Sequence, residues 1–204
     1  MNNKMKNTLW QDNDMLENIG TNTIETERLI LRRFEYADAS AVLKNWAADE
    51  RVQSMYAEPT YSTEEQVNGL LDKYISAYEK SDYYRWAIIG KDCGECIGQI
   101  AYFLVDGKNN SAEIEYCIGT EYQRKGYATE ATRAVMAYGF ERMNLHKVQI
   151  SVKSVNAPSK RVIEKCGFAY EGTLRDYFYE RGEYVDRLYY SMLESEYEKQ
   201  TKVT

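Results

Sequence analysis

From Val67 to Tyr78 the apolar residues Val67, Leu70, Leu71, Tyr74 and Tyr78 fall three or four positions apart, with polar residues between them. That spacing predicts an amphipathic helix with one buried stripe, and Ser62-Thr63-Glu64-Glu65 ahead of it has a capping-box pattern. Elsewhere the period drops to two. Leu29 and Leu31 alternate with charged residues in Glu27-Arg28-Leu29-Ile30-Leu31-Arg32-Arg33-Phe34, and Val148, Ile150 and Val152 alternate with polar ones. Both runs read as strands with one buried face. Trp86 to Ile89 and Cys96 to Tyr102 read as two more, joined by the Lys91-Asp92-Cys93-Gly94-Glu95 turn, and Ala112 to Ile118 follows a turn at Gly107 to Ser111.

Three further helices are predicted. Asp38 to Ala48 gives a short one with Ala41, Leu43 and Trp46 inward, and Tyr127 to Met143 a longer one with Ala131, Val135 and Tyr138 inward. Asn156-Ala157-Pro158-Ser159 opens the third, which stops at Gly167, with Pro158 in the first turn where a missing N–H costs nothing. Leu188 to Met192 reads as the last strand. Strands joined by turns, then strand–helix–strand–helix, predict an α/β fold: a mixed, mostly antiparallel sheet flanked by helices. One domain is expected over residues 23–194, between a flexible, Asn-rich arm at 1–22 and a charged tail at 195–204. Leu9, Trp10, Met15 and Leu16 are the residues able to dock that arm.

Composition narrows the function classes. The 204 residues carry a formal charge of -6, and the basic residues are dispersed, which argues against nucleic acid as the partner and favours a cationic or amine-bearing one. No apolar run reaches membrane-spanning length and the first twenty residues lack a signal-peptide core, so a cytoplasmic protein with no membrane partner is expected. Cys93, Cys96, Cys117 and Cys166 make no secreted-style framework, and Cys93-Gly94-Glu95-Cys96 lacks the second close pair a structural metal needs. No metal is expected. Nineteen tyrosines against five phenylalanines suit the walls of a half-wet cleft or an interface, as well as ordinary core packing.

The chemistry concentrates at Gln123-Arg124-Lys125-Gly126-Tyr127-Ala128-Thr129, behind the apolar run Ile114-Glu115-Tyr116-Cys117-Ile118-Gly119. A strand, a basic turn with glycine and a helix opening on small residues bring several N–H groups and a helix N-terminus to one point, which suits a pyrophosphate. The plainer alternative is a surface turn whose glycine allows positive φ. Four segments occur together in order: Thr26-Glu27-Arg28-Leu29, Gln123 to Ala128, Asn156 to Ser159, and Lys165-Cys166-Gly167-Phe168 with Glu171-Gly172 after it. In these the chain resembles the GCN5-related N-acetyltransferases, most closely the branch of the ribosomal-protein N-terminal acetyltransferases.

The resemblance implies the acyl-CoA N-acyltransferase fold and acetyl-CoA as co-substrate. It places the pyrophosphate on the N–H groups of Arg124 to Ala128, with charge from Arg124 and Lys125 and with Gln123 and Thr129 flanking them. Tyr116, Cys117 and Ile118 would offer backbone to the pantetheine arm where two central strands splay, and Asn156 would bond that arm from the other side. Arg161 or Lys160 would meet the adenosine phosphate, unless they are a solvated helix face.

Acetyl transfer needs a deprotonated amine, a polarised thioester carbonyl and a donor for the departing thiolate. By resemblance the donor is Ser159, which would serve equally as a helix-start residue satisfying a free N–H. The tyrosine donor of the wider class has Ile163 in its place. For the general base, Glu113 and Glu115 leave the same face of a strand and Glu115 lies nearer the thioester, although a solvated face is the competing reading. The branch's own glutamate position is occupied by Phe178, with Glu180 two residues on, so Glu115 and Glu180 are both candidates. His146, the one histidine, reads as structural. The expected reaction is acetylation of a primary amine, first a protein N-terminal α-amine and alternatively a polyamine, amino sugar or amino acid. A non-catalytic acyl-CoA-binding protein is the competing class. A homodimer would use an exposed strand or the N-terminal arm.

Overall fold

The computed structural model describes residues 15–202 apart from Ala57 and Arg181. Among them, β1 (Ile24–Glu25), β2 (Leu29–Arg32), α1 (Ala39–Val42), α2 (Glu50–Tyr56), α3 (Glu64–Ala77), β3 (Tyr84–Gly90), β4 (Cys96–Asp106), β5 (Ser111–Ile118) and α4 (Tyr127–Arg142) lead into β6 (Lys147–Lys153), α5 (Ala157–Cys166), β7 (Ala169–Glu180), β8 (Glu183–Leu193) and α6 (Glu194–Thr201). The described strands form one sheet in the order β1-β2-β3-β4-β5-β6-β8-β7. Every neighbouring pair is antiparallel except β5–β6. The mixed, mostly antiparallel expectation holds, and the single parallel pair is where α4 crosses over.

That pair also opens the sheet. Pairing runs from Ser111↔Lys147 to Ile114↔Ile150 and then stops, although β5 continues to Ile118 and β6 to Lys153. The two strands splay, leaving the last half of β5 without a β6 partner. Each face of the sheet has its own core: Ile100, Ile114, Val135 and Ile150 lie in one with α4 and α5, and Trp46, Val67, Leu71 and Ala87 in the other with α1 and α3. Alternation along the strands thus divides their side chains between two apolar layers.

Several expectations need correction. The short helix near Asp38 is a 3-10 turn at Tyr36–Asp38, α1, and a π-helical turn at Leu43–Ala47. Thr63, not Ser62, caps α3, its side chain accepting from the Gln66 N–H. α2 and β7 were not predicted. β7 is almost wholly exposed, so it has no apolar alternation to read.

Residues 15–22 of the expected flexible arm are docked. Leu16 N–H donates to Asn110 Oδ1 at 3.1 Å, Ile19 N–H to the Tyr84 hydroxyl at 3.2 Å, and Trp86 Nε1 to the Asn22 carbonyl at 2.7 Å. Leu9 and Trp10 lie outside the described residues. The charged tail is a helix: Tyr197 of α6 stacks on Phe140, ring centroids 4.8 Å apart, because its ring completes an apolar surface that α4 leaves open. No helix among the described residues is long and apolar enough to cross a membrane.

Candidate functional site

The basic turn has two left-handed residues, Arg124 at φ 62° and Gly126 at φ 88°. Such a turn gathers successive N–H groups on one side. Gly126 caps α4 without a side chain, so the first N–H groups of that helix keep their donors. A strained φ at a non-glycine residue persists only where its surroundings enforce it, and here Arg28 does so. Its Nη1 donates to the Lys125 carbonyl at 2.9 Å, its Nε to Glu130 Oε2 at 2.7 Å, and its guanidinium lies 4.8 Å from the Tyr127 ring centre. Thr26 Oγ1 and the Arg28 N–H donate to the other oxygen of Glu130 at 2.6 and 2.9 Å. Burial works to raise the Glu130 carboxyl, but the bonds from Thr26 and Arg28 outweigh it and hold it below the usual range. In the sequence Thr26 to Leu29 stand out only through the family resemblance. Glu130, in the first turn of α4, carried no signal of its own.

Behind this turn a cleft of about 400 Å³ follows the splayed strands. Of the expected cofactor residues, Tyr116, Cys117 and Ile118 line it from β5, Gln123, Arg124, Gly126, Tyr127, Ala128 and Thr129 from the turn, and Asn156, Ser159 and Arg161 from α5. Lys125 does not. Its side chain is exposed, with Nζ 5.4 Å from the Tyr122 ring centre. Arg51, Val52, Met55 and Tyr56 of α2 form an unpredicted wall.

At the start of α5 the two readings of Ser159 separate. Asn156 is the cap, its Oδ1 accepting from the Ser159 N–H at 3.1 Å. The Ser159 hydroxyl is therefore not needed for capping, and it lies 2.8 Å from the Tyr116 hydroxyl across the gap between β5 and β6. Burial raises the Tyr116 phenol well above its ordinary pKa, so it is neutral. Ile163 is fully buried in the core.

A second cavity of about 210 Å³ adjoins the first and shares Met55, Tyr56, Tyr116, Asn156 and Ser159 with it. Glu113 and Glu115 both line it, from β5. Neither is an isolated carboxylate. Glu115 Oε1 accepts from Arg85 at 2.5 Å and from the Tyr56 hydroxyl at 2.7 Å, while Glu113 Oε1 accepts from Arg187 at 2.9 Å and Ser151 at 2.5 Å. In each, Oε2 has no partner among the described residues. Burial works against the charge of Arg85, but Tyr56, Tyr74 and Glu115 around it keep the guanidinium protonated, with the Tyr74 ring 4.5 Å away.

Glu180 stands apart from this cavity. It is not among the lining residues but is bonded to Lys153, which is, and whose Nζ also donates to the Ser54 carbonyl; Phe178 lines the wall as well. His146 is exposed at the start of β6 and lines neither cavity. Phe103 bounds the second cavity and also a third, of about 390 Å³, which Leu16, Asn18 and Tyr83 help to line.

The family model for the acetyltransferase (GNAT) domain matches residues 28–169 of this chain. The chain belongs to that family. An uncharacterised N-acetyltransferase of Bacillus subtilis is 34% identical over 170 residues, 83% of this chain and 96% of the relative. A putative ribosomal N-acetyltransferase of the same species is 39% identical over 105 residues, 52% of this chain and 57% of the relative. Among solved structures, a GNAT acetyltransferase from Bacillus anthracis superposes with a TM-score of 0.75 at 31% identity, covering 85% of this chain and 99% of its own. A spermidine N-acetyltransferase from Vibrio cholerae, in complex with CoA and spermine, gives 0.72 at 26% identity over 84% and 99%.

GNAT enzymes use acetyl-CoA, and the larger cleft has groups that suit it. The open N–H groups at α4 and the turn match a pyrophosphate, and the β5 backbone beyond Ile114 matches an amide-bearing arm. Among the described residues no cluster of histidine, cysteine or acidic side chains could hold a metal ion.

Proposed function

We propose that this GNAT N-acetyltransferase transfers the acetyl group of acetyl-CoA to the N-terminal α-amine of a protein. The pyrophosphate sits on the N–H groups of the Arg124–Ala128 turn, and Arg161 meets the adenosine phosphate. Asn156 donates from Nδ2 to the pantetheine arm. The thioester is thereby held where the two cavities meet, between Tyr116, Ser159 and Tyr56. Glu115 orients the attacking amine through its open Oε2 and takes its proton directly or through water. Ser159 donates to the departing sulfur. The four cysteines of the chain are free thiols, which fits work in a reducing cytoplasm.

The observation that supports a peptide acceptor is that Phe103 lines both the second cavity and the third, so the two lie on either side of one side chain. In this reading the amine of an extended chain enters the second cavity and its following residues pass Phe103 toward the third. The glutamates of the second cavity are also each matched by an arginine, which lowers its attraction for a polycation. A small-amine acceptor is the second reading. It draws on the open oxygens of Glu113 and Glu115 and on the resemblance to a spermidine N-acetyltransferase.

Free-thiol release from acetyl-CoA, measured against pools of short peptides, polyamines, amino sugars and amino acids, tests the assignment. Turnover with peptides, abolished when their α-amine is blocked, is expected. Turnover confined to polyamines or another small amine would replace the acceptor and leave the rest of the chemistry in place.

A further inference from the structure

We propose that Tyr116 is a positioning residue for the departure of the thiolate: its phenol holds the Ser159 hydroxyl in the orientation that presents its hydrogen to the sulfur. This deepens the function proposed above and rests on its placement of the thioester between the two cavities.

The argument begins with counting hydrogens. The Tyr116 and Ser159 oxygens are 2.8 Å apart, so one hydrogen bridges them and the second is left over. Phenol is the stronger acid and the better donor, and an alkyl hydroxyl oxygen is the better acceptor. Burial keeps the phenol neutral, so its hydrogen is always present. Tyr116 therefore donates, and the remaining hydrogen is that of Ser159.

Two constraints then act on one serine. Asn156 Oδ1 holds its N–H at 3.1 Å, which sets the backbone, and Tyr116 holds its oxygen, which sets the side-chain rotamer. The constraints come from different elements, α5 and β5, across the opening where strand pairing has ceased. Both residues line both cavities, so the free hydrogen lies at the junction of cofactor and acceptor. A donor already aimed at developing charge needs no reorganisation as the bond breaks.

In the step itself, the amine nitrogen bonds to the carbonyl carbon and the carbon–sulfur bond breaks with its electron pair on sulfur. The thiolate forms within a hydrogen bond from Ser159 and takes its proton from solvent after release. The amine's surplus proton passes to Glu115 or water. Tyr116 keeps its own proton throughout, which its raised affinity for that proton requires.

Tyr116→Phe removes the hydroxyl and keeps the ring that packs against the core. With the best acceptor, it should lower kcat about tenfold and leave the KM for acetyl-CoA within about twofold. Ser159→Ala should lose at least as much, and the double variant should be no worse than Ser159→Ala alone, since the phenol acts only through the serine. Slow hydrolysis of acetyl-CoA without an acceptor breaks the same bond and should show the same pattern, so a wrong acceptor does not obscure the result. The proposal is overturned if Tyr116→Phe leaves kcat and hydrolysis unchanged, if the two losses multiply, or if Ser159→Ala is fully active.

Discussion

Arg28 and Glu130, 102 positions apart in the chain, close to 2.6 Å and tie the turn before β2 to the first turn of α4. The same arginine reaches the Lys125 carbonyl, so one side chain ties the basic turn to the helix behind it. The strained backbone at Arg124 is thus held from outside the turn.

Loss of that brace should act on cofactor affinity before it acts on folding. Arg28→Ala is expected to raise the KM for acetyl-CoA about tenfold, equivalent to about 1.4 kcal/mol, with kcat changed much less. Steady-state kinetics at fixed acceptor check this. An unchanged KM would show that the turn holds its shape without the arginine.

The brace should also respond to acid. Glu130 has a folded-state pKa below its ordinary value, so its contribution is complete above the usual carboxylate range and is lost as pH falls through that lower value. The KM for acetyl-CoA should therefore rise below about pH 4, the ordinary glutamate range. Glu130→Gln should start from a raised KM and lack that component of the rise. Binding titrations from pH 3 to 7 on both proteins measure it.

Asn156 serves two purposes that substitution can separate. Asn156→Ala removes the α5 cap and should cost about 1 kcal/mol, a fall in Tm of roughly 2–4 °C, together with a higher KM for acetyl-CoA. Asn156→Asp keeps an oxygen to cap the helix and removes the Nδ2 donor, so Tm should stay near the wild-type value while KM rises. Thermal denaturation and kinetics on the pair distinguish cap from donor. Equal KM for Asn156→Asp and wild type would remove Asn156 from the cofactor site.

Glu115→Gln retains an oxygen for Arg85 and Tyr56 to bond and removes the negative charge. We expect kcat to fall about a hundredfold, the ordinary scale of a positioned base, with the KM for acetyl-CoA little changed. The corresponding Glu180→Gln should leave kcat near wild type, since Glu180 does not line the acceptor cavity and is held by Lys153, which does. The opposite ranking of the two variants would move the base to Glu180.

Local patterning by itself determined the elements whose faces differ in polarity. The stripe Val67, Leu70, Leu71, Tyr74 and Tyr78 is buried as its spacing requires, and Val148, Ile150 and Val152 lie in the core from alternate positions of β6. The basic turn was legible too, because Gly126 and the helix behind it are consecutive in the chain and their geometry is local. Exposed β7 and short α2 have no polarity contrast to reveal them, so they were missed.

What only the tertiary structure decided are relationships between residues far apart in sequence. The sequence leaves the cap of α5 open between Ser159 and its neighbours, and folding gives the cap to Asn156 and brings the Ser159 hydroxyl to Tyr116, 43 positions away. Glu115 and Glu180 are alike as carboxylates, and folding puts Glu115 on the wall of a cavity with Arg85 behind it and Glu180 off that wall, bonded to its lining residue Lys153. Lys125 and Arg124 are alike as basic residues of one turn, and folding lets Arg124 line the cleft while the Lys125 side chain meets the Tyr122 ring. A residue's type states which bonds it can make. Which of them it does make depends on the neighbours that packing brings within about 3 Å, and those neighbours are not adjacent along the chain.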